Sequence, residues 1–175
     1  MDVAEGMNVL HERCAGMDIS KKDAKVCIRF PGEKRGFKQT IETYGATNGE
    51  VLRLRRDLEQ ARVSLVVMEA TGDYWKPFFF PLAETLNVQL VNAKQAKNIP
   101  GRKTDVSDAA WLARLAAFGL LRPSFVPDEP IRQLRDLTRA RTGLAQEQVR
   151  EFSRLEKILE DTGIKLSREP VKSFV

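Results

Sequence analysis

An apolar run that stops at a carboxylate constrains this chain more than any other feature. Val63-Ser64-Leu65-Val66-Val67-Met68 leads straight into Glu69. A run of this kind reads as a strand buried on both faces, which requires helices on both sides of its sheet. The neighbouring segments offer them. Thr47-Asn48-Gly49-Glu50 is a helix start, with Thr47 as candidate cap and Glu50 three positions on. Val51, Leu54, Leu58 and Ala61 follow at helical spacing. Tyr74 to Thr85 reads as a helix or helical turn interrupted by Pro77 and Pro81. Asp105 to Leu120 reads as a helix capped by Thr104 or Asp105, with Ala109, Leu112, Ala113, Ala116 and Leu120 along its apolar side.

The remaining strands come before and between these helices. Ala15 to Phe30 reads as two strands around a turn at Lys21-Lys22-Asp23, with Val26 and Ile28 on one face of the second. Pro31-Gly32-Glu33-Lys34 is turn chemistry, and Phe37 to Thr43 alternates as a third strand. Val88 to Val91 is a fifth. Three meander strands followed by alternating helices and strands predict a mixed five-stranded sheet with helices on its faces, the ribonuclease H-like arrangement. A chain of 175 residues is long enough for one such domain and an appendage.

The expected organisation is a lead-in over residues 1–13, a catalytic domain over 14–122, and a proline-rich linker over 123–130 carrying Pro123, Pro127 and Pro130. A helical arm over 131–165 and a short tail over 166–175 complete it. Leu134, Leu137, Leu144, Phe152, Leu155 and Leu159 make an apolar stripe along the arm. Two readings fit that stripe: a helix packed on the first domain, and a coiled-coil arm set apart by the prolines. The second is favoured, although the repeat is less regular than a clean heptad series.

Four acidic residues sit where a carboxylate is an unusual choice. Asp18 interrupts the strand-like Gly16-Met17-Asp18-Ile19-Ser20. Glu69 ends the buried run, so its side chain is expected to emerge at the sheet edge. Asp105 and Asp108 are three apart in the expected first turn of a helix, and share a face there. Acidic residues in a first turn are also ordinary helix chemistry. Asp18 is harder to explain that way, because a buried carboxylate needs a compensating partner. The topology brings the first strand beside the strand that ends at Glu69. Carboxylates converging there suit a hard divalent cation, Mg²⁺ or Mn²⁺, and paired ions of this kind support phosphoryl transfer on nucleic acid.

Other residues fit a polyanionic partner. Lys94, Lys97, Arg102 and Lys103 lie in a basic connection before the acidic helix, and Lys21, Lys22 and Lys25 cluster near Asp18. Such runs are usually solvated loops, but beside a metal site they suit contacts to phosphate. Tyr74 and Trp75 are candidates for stacking on a base, with core packing at least as good a reading of Trp75. The net charge of +5 is compatible with this and not diagnostic. Cys14 and Cys27 are the only cysteines, too few for a disulfide framework or a zinc site, and read as reduced core thiols. His11, the only histidine, lies near the N-terminus and offers no histidine-based catalysis. No apolar run approaches the ~20 residues of a membrane span. No basic segment precedes an apolar stretch at the N-terminus, so no signal peptide is apparent and a bacterial cytoplasmic location is expected.

Three segments together resemble one family. They are Gly16-Met17-Asp18-Ile19-Ser20-Lys21, Met68-Glu69-Ala70-Thr71-Gly72-Asp73-Tyr74 and Lys103-Thr104-Asp105-Val106-Ser107-Asp108-Ala109. In this order they are similar to the DEDD transposases of bacterial insertion sequences, the IS one-ten group, which includes pilin-gene invertases. The resemblance covers about residues 14 to 165. It implies a RuvC-like, ribonuclease H-like domain whose tetrad, here Asp18, Glu69, Asp105 and Asp108, holds Mg²⁺ for site-specific DNA recombination. It further implies a following coiled coil, assembly as dimers or tetramers, and in some members a bridge RNA that selects DNA. It also implies a second domain bearing a serine nucleophile. The chain ends at Val175, where that domain is expected to begin. Ser167 and Ser173 lie outside its motif, so neither is assigned as nucleophile, and the chain alone is expected to be inactive in recombination.

Three other readings compete. A stand-alone RuvC-like junction nuclease shares the fold. A truncated product would bind nucleic acid without catalysis. Actin-like kinases also open with an aspartate on their first strand, but they need a second glycine-rich phosphate loop, and Glu69 to Asp73 contains one glycine only.

Overall fold

The computed structural model describes residues 8–32, 36–69, 72–100 and 107–165. The chain divides into two compact units, Met1–Val126 and Pro127–Val175.

The first unit is built on a five-stranded sheet. Its strands are β1 (Cys14–Ile19), β2 (Asp23–Pro31), β3 (Phe37–Gly45), β4 (Leu65–Glu69) and β5 (Val88–Val91), in the order β3-β2-β1-β4-β5. β1, β2 and β3 form an antiparallel meander, while β4 pairs parallel to β1 and β5 parallel to β4. This mixed order is the ribonuclease H-like arrangement, and it places β1 at the centre. Beyond β5, Pro123 makes an isolated antiparallel bridge to Val91, and the Ser124 N–H donates to the Leu90 carbonyl at 2.6 Å.

Each sheet face has its own core because strand side chains alternate. One face carries Ala15, Met17, Val66 and Met68, packed with α1 (Asn48–Gln60) and α2 (Lys76–Ala83) through Leu54, Leu58, Phe78 and Leu82. The helical spacing of Val51, Leu54 and Leu58 is borne out, since all three are buried. Thr47 does occupy the cap position, but its side chain makes no capping bond. Glu50 turns instead to Arg53, at 3.0 Å, so the expected capping box does not form.

The other face carries Cys14, Leu65 and Val67, packed under α4 (Asp108–Ala117) with Leu112, Leu115 and Ala116. The basic connection is not all loop: α3 (Ala93–Asn98) forms there because the Asn92 side chain accepts from the Lys94 N–H at 2.9 Å and the residues that follow are good helix formers. The Trp111 indole N–H donates to the Ala96 carbonyl at 3.0 Å and ties α3 to α4.

The second unit holds α5 (Glu129–Asp161), a single helix of 33 residues with no buried residue. Pro130, read as linker, lies in its first turn, where a missing N–H costs nothing. Among the described residues no helix is long and apolar enough to cross a membrane.

Candidate functional site

The site is assembled by one glycine and one helix. Gly16 lies on β1, two residues before Asp18 and on the same face. A Cβ at Gly16 would stand 2.3 Å from both the Ala109 carbonyl oxygen and the Ala113 nitrogen. Only glycine lets α4 rest on β1 this closely. The helix runs antiparallel to the strand. The N–H groups of Leu10 and His11, just before β1, donate to the Ala117 carbonyl, and the Cys14 thiol donates to the Ala113 carbonyl at 3.2 Å. Its N-terminus therefore lies at the C-terminal end of β1, where Asp18 stands.

Glu69 reaches the same end from the adjacent strand. β1 and β4 pair in register up to Met17 opposite Met68, and Asp18 and Glu69 are the next residues of the two strands. Strands in parallel register put such neighbours on one face, here the face under α4. Glu69 is the last residue of β4 and pairs with Val91 of β5. It is only 8% exposed, the one buried charged residue among those described. Glu69 does stand at the end of its strand, but the expectation that its side chain emerges from the core is corrected, because β5 continues beside it to Val91 and the position is buried. Asp18 is half-buried, with Lys25 as its cross-strand neighbour on β2.

Asp108 opens α4 and is half-buried. The helix does not begin at Asp105. Its cap is Ser107, whose hydroxyl accepts from the Ala110 N–H at 3.3 Å. A serine at this position satisfies a first-turn N–H. Asp105 lies outside the described residues, so its place beside Asp108 is an expectation only. Among the described residues no group of three or more His, Cys, Asp or Glu side chains closes up as a metal site. The structure thus draws Asp18 and Glu69 together on neighbouring strands and sets Asp108 at the helix end above them.

The basic residues divide. Lys21 is exposed in the β1–β2 turn, three residues past Asp18, and Lys94 is exposed at the start of α3, just past the end of β5. Both are therefore at the acidic end of the sheet. Arg102 and Lys103 lie outside the described residues, as does the side chain of Lys97. Trp75 packs edge-on to Phe79 with ring centroids 5.4 Å apart and lies partly buried against the core, whereas Tyr74 stays exposed. Both cysteines are buried and free, as expected of core thiols, and burial pushes each thiol up to about 11.

Two positions carry more than their sequence reading did. Gly16 sets the helix-to-strand distance, and a lone glycine within a strand pattern is the signal that could have found it. Ser107 sets where the helix starts, and a serine directly before an acidic first turn is the corresponding signal.

The comparisons with known proteins follow this geometry. A family model described as Transposase, for DEDD transposases of the IS110 type, matches residues 15–164. Among solved structures, the chain is similar to Thermus thermophilus RuvC in complex with Holliday junction substrate, at 12% identity and a TM-score of 0.44, over 65% of this chain and 100% of that one. It is also similar to the Fowlpox virus resolvase complexed with Holliday junction DNA, at 19% identity and a TM-score of 0.37, over 53% of this chain and 65% of that one. No curated protein matches the chain. Because the family model spans most of the sequence and takes in Asp18, Glu69 and Asp108, the chain belongs to the IS110-type DEDD transposase family.

Proposed function

We propose that the first unit supplies a divalent-metal site for cleavage and exchange of DNA strands, with Asp18, Glu69, Asp105 and Asp108 as its ligands. The observation that carries this reading is the pairing of Asp18 with Glu69. Two carboxylates lie at the C-terminal ends of adjacent parallel strands, facing the N-terminus of the helix that bears Asp108. A carboxylate buried there must be compensated, and protein partners and a bound cation can share that role. The donor set is all oxygen, which fits Mg²⁺ or Mn²⁺ better than a softer metal. When bound, such ions activate the attacking oxygen and stabilise the leaving one.

The chain's own residues do the positioning. Gly16 brings α4 onto β1, so Asp108 is fixed relative to Asp18 rather than carried on a free loop. Lys21 and Lys94, at the same sheet end, suit phosphates that flank the scissile bond, as would Lys97, Arg102 and Lys103. A bridge RNA, which the resemblance implies for some members, would meet the same contacts. The stripe on α5 offers a surface for self-association, since Leu134, Leu137, Leu144, Phe152 and Leu155 are all exposed on one helix.

Calorimetric titration of Mn²⁺ into the chain tests the site. Asp18→Asn and Glu69→Gln should each weaken binding at least about tenfold while leaving the unfolding midpoint in place. That is about 1.4 kcal/mol of lost ligation. A titration unchanged in both variants would remove the tetrad from the reading.

A further inference from the structure

We infer that Lys25 and Arg29, on the α4-side face of the β2–β3 hairpin, form a phosphate-binding row for a nucleic-acid strand that leads to the acidic end of β1. The inference rests on the transposase reading and extends it to a surface away from the carboxylates.

The row is a consequence of register. Lys25, Cys27 and Arg29 alternate onto one face of β2. Cys27 is covered by Ala109, Ala110 and Ala113 of α4, but Lys25 is exposed and Arg29 half-exposed. Lys25 pairs with Asp18 across β1, so one end of the row touches the acidic site. The next strand continues the same face: Thr43, Ile41 and Gln39 of β3 pair with Lys25, Cys27 and Arg29, and all three are exposed. No described element of the first unit covers that floor.

Arg29 is built as an anion seat. Its guanidinium carbon lies over the Phe37 ring, 4.1 Å from the centroid, a cation–π contact that holds the side chain on this face. Its Nε is buried without a hydrogen-bond partner. Burial holds its pKa below the ordinary guanidinium value, and the groups that act on it besides are the Cys14 and Cys27 thiols and Arg114. No carboxylate is among them. A half-exposed guanidinium with no carboxylate acting on it favours an anion arriving from the solvent side.

Spacing and direction favour a phosphodiester chain over a single carboxylate. Lys25 and Arg29 are four strand residues apart, about 13 Å, a span that takes in more than one phosphate of a nucleic-acid strand. A polyanion with regular spacing takes both positions and arrives at Asp18. A lone protein carboxylate would use Arg29 and leave Lys25 without a role.

Fluorescence anisotropy of labelled duplex and four-way-junction DNA, between roughly 50 and 200 mM salt, tests the row. Lys25→Gln and Arg29→Gln should each lower the slope of log K against log salt by about 0.9, the value for one phosphate contact. Arg56→Gln, exposed on α1 across the sheet, should leave the slope unchanged. Arg29→Lys, which keeps the charge, should retain the slope with weaker binding. Should Arg29→Gln melt early, Lys25→Gln and Arg29→Lys decide the outcome, since both keep the hairpin packing. Normal binding with wild-type slopes in the Gln variants overturns the row and leaves the transposase reading standing. Failure of the wild-type chain to bind any DNA overturns both.

Discussion

α4 and α5 are both helices with apolar stripes, and they come to opposite ends. α4 has ten residues, eight of them buried. α5 has 33 residues and none buried. The difference is in what each stripe is made of. α4 presents Ala109, Ala110, Ala113, Ala116 and Ala117, small enough to lie on β1 at Gly16. α5 presents Leu137, Leu144, Phe152 and Leu155, bulky side chains spaced along a helix about 50 Å long. A stripe of alanines needs a close-fitting surface and has found one within the unit. A stripe of large side chains needs a partner of its own length, and among the described residues the second unit contains only the one helix. Helix length and amphipathicity alone do not distinguish the two cases.

The largest expected effect attacks the close approach under α4. Gly16→Val should destabilise the first unit by more than about 4 kcal/mol in chemical denaturation, because the added Cβ meets helix backbone that cannot yield without moving Asp108. A loss below about 1 kcal/mol would mean that α4 is not seated as described.

A matched pair of truncations compares the helices directly. Leu112→Ala on α4 should cost about 2–5 kcal/mol, as for a buried leucine. Leu137→Ala on α5, with the side chain 69% exposed, should change stability by less than about 0.5 kcal/mol in dilute solution. If Leu137→Ala costs as much as Leu112→Ala, and the cost grows with protein concentration, then a second copy covers the stripe.

The thiols beneath α4 make the comparison depend on pH. Cys14 and Cys27 titrate at about 11 in the folded state against 9.0 unfolded, because burial disfavours the thiolate. The folded state therefore holds protons that the unfolded state releases. Stability from these groups is full below pH 9 and is lost as pH rises toward 11, by about 2 kcal/mol for each thiol. Unfolding of Cys14→Ser/Cys27→Ser and of the natural chain, followed from pH 8 to 11, checks this. A natural chain that loses no more stability than the double variant would show that the thiols are not dry.

Much of the sheet was legible because its signals are local. The run Val63 to Met68 announced a strand covered on both sides, and β4 is that strand. Turn residues at Lys21-Lys22-Asp23 and Pro31-Gly32 marked the meander. The errors cluster where two local signals compete. Thr104, Asp105 and Ser107 are all able caps, and position along the chain cannot rank them; the Ser107 hydroxyl won by reaching Ala110. Glu50 was free to close a capping box or pair with Arg53, and the nearby guanidinium took it. Glu69 looked open because residue type within β4 does not reveal that the register carries β5 as far as Val91 beside it.

The sequence by itself determined the element order apart from the short α3, the two-faced burial of β4, and which carboxylates stand out of place. These follow from periodicity and residue type within a few positions. Tertiary structure alone decided that Asp18 and Glu69 share a face, that Asp108 is held above them, and that Arg29 lies over Phe37 with its Nε unpartnered. Strand register and helix approach set those relations, and both depend on contacts between residues dozens of positions apart. Gly16 joins the two levels. It is one residue in the sequence, and the absent side chain becomes a contact only when α4 arrives.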